Sequence, residues 1–172
     1  MFPSSLNVWP YERIPTVIVR RFPYEEPHLL QVEFWISNGE FSGSTDIYVD
    51  REQLVEIGEA LSQFPTRVDD VYEFLYGSED PEKNFYRFFA MKAYTTNSLG
   101  RCAIQFAINR NTEMPEEGSC RFSLQASAGA VNKLGNLLQR FAELKHLEFR
   151  WSEDQAELFS DYCQEPLRDR RD

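Results

Sequence analysis

The sequence predicts an α+β domain, a mainly antiparallel sheet of six to eight strands with two amphipathic helices on one face. Three observations predict it. Stretches around Phe34, Phe106 and Phe122 alternate apolar and polar residues with the period of a half-buried strand. Two segments, after Asp50 and after Ser127, repeat apolar residues at steps of 3, 4 and 3 behind residues suited to cap a helix. Turn signals at Asn38-Gly39 and across Asn97 to Gly100 join neighbouring strands into hairpins.

Each element follows from its residues. Residues 1–13, with Pro3 and Pro10, show no sustained period and read as an irregular arm that Trp9 and Tyr11 could anchor. The segment 15–22 is strand-like and is broken between Pro23 and Pro27. In 28–37, Val32, Phe34 and Ile36 point one way, and Glu33, Trp35 and Ser37 the other. Residues 44–49 return. Asp50 can then cap a helix with Gln53 reaching back, and Leu54, Ile57, Leu61 and Phe64 form its stripe up to Pro65. A strand over 70–76 precedes an acidic loop, Gly77 to Asn84. Strands over 85–96, 101–109 and 119–126 lead to the second helix, striped by Val131, Leu134, Leu138 and Phe141. Residues 147–151 predict a short strand. Ser152 with Gln155 has the form of a cap, which predicts a short helix over 153–162. One domain over 14–163 and a polar tail over 164–172 complete the division.

Part of the chain repeats. A shift of 77 lays Asp50 on Ser127, Leu54 on Val131, Gly58 on Gly135 and Phe64 on Phe141. A shift of 72 lays Val32, Phe34 and Ile36 on Ile104, Phe106 and Ile108. The pattern suggests two β-β-β-α units with an extra strand at 70–76 between them. Gly58 and Gly135 occupy the same place in each stripe, which predicts that the helices touch there.

Composition excludes several classes. With 28 acidic and 18 basic residues the formal net charge is −10, which disfavours a phosphate backbone and suits a basic protein partner. The Arg168 to Arg171 cluster is broken by Asp169. No apolar run approaches the ~20 residues of a membrane span, and the N-terminus lacks a signal peptide's pattern, so a cytoplasmic protein is expected. Three cysteines are too sparse for a disulfide framework.

No site chemistry assembles from the motifs. Cys102, Cys120, Cys163, His28 and His146 share no metal-ligand spacing, and no metal or cofactor is expected. Pairing of 101–109 with 119–126 keeps Cys102 and Cys120 about six residues apart, roughly 20 Å, and both read as core thiols. The acidic pairs Glu25-Glu26, Asp69-Asp70, Glu79-Asp80, Glu116-Glu117 and Glu153-Asp154 sit in loops, as solvated turn residues do. Neither a nucleophile elbow nor a phosphate loop occurs. What remains is the sheet face opposite the helices, with Glu33, Trp35, Tyr48, Gln105, Arg121 and Gln125, a mixture of aromatic and polar groups typical of interfaces.

From Val32 to Pro65 the chain resembles small bacterial α+β domains of unknown function, on Asn38, Gly39, Phe41, Ser42, Gly43, Tyr48, Leu54, Leu61, Phe64 and Pro65. Such domains are similar to immunity proteins of bacterial toxin systems. That resemblance implies a non-enzymatic interaction module that could neutralise a basic toxin. A small-molecule-binding domain or an enzyme of unrecognised type is the alternative reading, and a homodimer is compatible with both.

Overall fold

A computed structural model describes residues 14–163. The expected N-terminal arm with Trp9 and Tyr11, and the expected tail over 164–172, lie outside these residues. In chain order the elements are strands β1 (Thr16–Phe22), β2 (Leu30–Ser37) and β3 (Ser42–Val49), helix α1 (Arg51–Ser62) and strand β4 (Val71–Tyr76). There follow β5 (Phe88–Thr95), β6 (Arg101–Asn109), β7 (Ser119–Ser127), α2 (Ala128–Phe141), β8 (Glu148–Trp151) and β9 (Ala156–Phe159). A 3-10 turn over Pro81–Lys83 lies in the acidic loop.

The class is α+β with two helices, as the periodicities predict, but the strands form two antiparallel sheets rather than one. One sheet runs β3-β2-β1-β8-β9 and the other β4-β5-β6-β7. A period-two pattern says which side chains share a face. It does not say which strands share a sheet.

The halves are related element by element. Under a shift of 72 the β1–β2 pair Val17–Ile36 becomes Phe89–Ile108, which is the β5–β6 pairing. With a shift of 77 for the third strand, Val32–Ile47 becomes Ile104–Leu124, the β6–β7 pairing. The strand expected to be an extra is not one. β4 leaves the first unit to pair with β5, and β8 leaves the second to pair with β1. Each unit is therefore β-β-β-α-β, and its last strand is exchanged into the other's sheet.

The helices carry the expected devices. Gln53 N–H donates to the Asp50 carboxylate at 2.8 Å, and Asp50 N–H donates to Gln53 Oε1 at 3.0 Å. At α2, Ala130 N–H donates to Ser127 Oγ at 3.1 Å. Position N3 is alanine there, so Glu153 takes the Ser127 N–H instead, at 3.0 Å. Asn132 of α2 donates from Nδ2 to the Leu61 and Phe64 carbonyls at 2.9 and 2.6 Å, closing the C-terminal end of α1.

One apolar core takes in the inward faces of both sheets and both helical stripes. The Phe34 and Phe89 rings, one from each sheet, lie 4.9 Å apart, and Phe89 and Phe106 lie 6.1 Å apart. Phe34, Phe106 and Phe122 are all buried in this core, as their alternation predicts. The expected helix over 153–162 is replaced by β9. Ser152 and Gln155 close a tight turn, Ser152 N–H donating to the Gln155 carbonyl at 2.9 Å, and the residues after it pair with β8. The cap-like spacing is equally a turn's spacing, and an available strand edge decided between them.

Candidate binding surface

The two-sheet architecture divides the six surface residues read from the sequence. Glu33, Trp35 and Tyr48 lie on the outward face of the first sheet, where Trp35 opposes Ser44 and Tyr48 opposes Gln31. Gln105, Arg121 and Gln125 lie on the outward face of the second. They are therefore shared between two sheets and not carried by one. Trp35 and Glu33 are half-buried, and Tyr48 is exposed.

A different region gathers the groups that an interface uses. Of the large exposed apolar side chains, Val68, Val71, Leu75, Phe85 and Tyr86 fall on β4 or the loops that flank it. Val71 and Leu75 project from the outward face of β4 and are 53% and 57% exposed; Tyr86 is 74% exposed. Around them, residues 67–87 hold six acids (Asp69, Asp70, Glu73, Glu79, Asp80 and Glu82) against Arg67, Lys83 and Arg87. Arg67 pairs with Asp69 at 3.3 Å, and Arg121 pairs with Glu79 at 3.7 Å. The signal was present in the sequence: VYEFLY is apolar on both faces of a strand, and its outward pair has no cover.

The loops on either side are built, not slack. Asn111, in the left-handed region at φ 53°, donates from Nδ2 to the Ser78 and Phe85 carbonyls at 2.8 and 3.0 Å, which closes the acidic loop on itself. Asp80 accepts the Glu82 N–H at 3.0 Å and opens the 3-10 turn. Before β4, the Asp70 carboxylate accepts the Thr66 N–H and hydroxyl at 2.7 and 2.9 Å. Those two bonds hold its pKa below the ordinary aspartate value.

No family model matches the chain, and none of the curated proteins is similar to it. The chemistry of this surface must therefore be read from its own groups.

On the outward face of the second sheet, Asp70, Val71, Lys92, Tyr94 and Gln105 line an open recess of about 350 Å³. Tyr94 is held upright by a 3.0 Å hydrogen bond between its hydroxyl and Ser123 Oγ. On the inward side of β4, Tyr72, Phe74 and Tyr76 pack against the core while staying half-exposed. Burial, and secondarily the Glu56 carboxylate, push the Tyr72 phenol up, so it stays neutral.

Elsewhere the buried charged side chains have structural partners. Glu148 is fully buried and accepts from Arg20 Nε at 2.9 Å, Arg150 Nε at 2.7 Å and Cys163 N–H at 3.1 Å. Arg21 bonds Glu26 and the His146 carbonyl. Cys102 is buried and Cys120 half-buried; burial raises both thiols, which makes them poor nucleophiles. Among the described residues no three of His, Cys, Asp and Glu converge on a metal position, and no helix is long and apolar enough to cross a membrane.

Proposed function

We propose that this protein is a non-enzymatic interaction module that binds a basic protein partner, in the manner of an immunity protein neutralising a basic toxin. One observation carries the reading. The exposed apolar side chains concentrate on β4 and its flanking loops, and the same stretch carries a twofold excess of acids over bases. Apolar contacts ringed by charge are how a transient interface combines affinity with steering.

The test compares two baits in a lysate of the source organism at low and high salt. One is the native protein and the other carries Val71→Lys and Leu75→Lys. A basic protein retained by the first, lost by the second and released by salt supports the reading. Identical sets of proteins on both baits would remove it.

A further inference from the structure

The internal repeat provides a comparison within the molecule. Arg20 of β1 opposes Glu148 of β8; at the equivalent place Lys92 of β5 opposes Glu73 of β4. The sheets thus set a cation opposite a glutamate at the same register. What lies against the pair differs.

In the first sheet the pair is covered. β9 adds to the edge of β8, with Phe159 opposite Glu148 and Leu158 opposite Phe149. Residues 160–163 then fold back over the outward face. The Tyr162 ring lies 5.7 Å from Phe22 and its hydroxyl donates to the Arg21 carbonyl at 2.7 Å, while Cys163 N–H donates to Glu148. This covering leaves Glu148 fully buried.

In the second sheet, among the described residues, each of these positions is open. β4 is the outermost strand, and among the described residues no backbone group of Tyr72 to Tyr76 bonds anything outside the β5 ladder. Glu73 is exposed and makes no ion pair within 4.0 Å among the described residues. The counterpart of Phe22 is Tyr94, which stands in the wall of the open recess. The β4 edge has neither proline nor lysine, and Glu73 is its one charge.

We propose that β4 is a strand-addition site, and that its occupant is an extended basic segment of the partner which does in the second sheet what β9 and residues 160–163 do in the first. This deepens the proposed function and rests on it. The repeat sets orientation and register. The added strand runs antiparallel to β4, with an apolar side chain opposite Phe74 facing the core, as Leu158 does opposite Phe149. Opposite Glu73 it carries lysine or arginine, since opposite charges on facing strands attract and Glu73 faces Lys92 of β5 without an ion pair to it within 4.0 Å. Beyond the strand, an aromatic ring enters the recess beside Tyr94. Main-chain bonds then supply affinity and the alternate side chains supply specificity.

The probe is a synthetic peptide of residues 155–163 carrying Glu157→Lys, Phe159→Arg, Asp161→Lys and Cys163→Ser. It is titrated into the intact protein while amide hydrogen exchange is followed. Binding should slow exchange at alternate amides of β4. A peptide further carrying Leu158→Pro should not bind, and Glu73→Lys in the protein should weaken binding at least tenfold with an unchanged circular dichroism spectrum. Binding without protection of β4, or no binding at millimolar peptide, would overturn strand addition. So would a dimer by light scattering that Glu73→Lys dissolves, because a second copy would then own the edge. The lysate test is independent: a partner lost on the Val71 and Leu75 variant but leaving β4 amides unprotected keeps the interaction reading and removes only this mode.

Discussion

Gly58 and Gly135 meet backbone against backbone where the two helices touch. A Cβ placed on Gly135 would stand 2.6 Å from the Gly58 carbonyl oxygen and 2.3 Å from the Ser62 nitrogen. One placed on Gly58 would stand 2.8 Å from the Gly135 carbonyl oxygen. The close approach requires both glycines, although glycine within a helix costs ~1 kcal/mol relative to alanine.

Gly135→Ala should therefore destabilise the fold by about 3 kcal/mol despite alanine's better helix propensity, and Gly58→Ala by about 2 kcal/mol. Urea denaturation monitored by far-ultraviolet circular dichroism measures both. Alanine at either position leaving the midpoint unchanged would show that the helices do not touch there.

Glu148 and Glu73 hold the same place in the two sheets and should respond unequally. Glu148→Gln leaves Arg150 and Arg20 without their buried acceptor charge and should destabilise by about 3 kcal/mol. Glu73→Gln, at an exposed site, should change stability by less than about 0.5 kcal/mol. Equal effects from the two substitutions in a thermal melt would contradict the difference in covering.

Asn132 ties the second helix to the end of the first through two carbonyls. Asn132→Ala removes both bonds, and the Leu61 and Phe64 carbonyls lose their partner. The expected loss is about 2 kcal/mol, with faster exchange of amides in the last turn of α1. Unchanged exchange in that turn would argue that water replaces the side chain at no cost.

Asp70 titrates below an ordinary aspartate because Thr66 donates two hydrogen bonds to its charged form. A depressed folded pKa contributes stability that is present above the unfolded value and is lost as pH falls through the folded one. Nuclear magnetic resonance titration of the carboxyl carbon should show the low midpoint in the native protein. Thr66→Val should move it toward the ordinary value. An unmoved midpoint would assign the shift to the Thr66 backbone N–H, which valine keeps, rather than to the hydroxyl.

The sequence by itself determined the local structure and much of the core. The 3-4-3 stripes ending at Phe64 and Phe141, the caps at Asp50 and Ser127, and the inward faces holding Phe34 and Phe106 all follow from near neighbours in the chain. The meeting of Gly58 with Gly135 was legible too, because a glycine repeated in the same place of two stripes has no local reason to be there. Tertiary structure alone decided the rest. That β4 and β8 change sheets depends on strand edges brought together from far apart in sequence, and alternation is the same whichever edge a strand joins. Tertiary pairing likewise puts Trp35 and Gln105 in different sheets, turns residues 156–159 into a strand on the β8 edge, and leaves Glu73 exposed where Glu148 is buried. A residue's pattern fixes the face it occupies; only the assembled sheets fix what lies against that face.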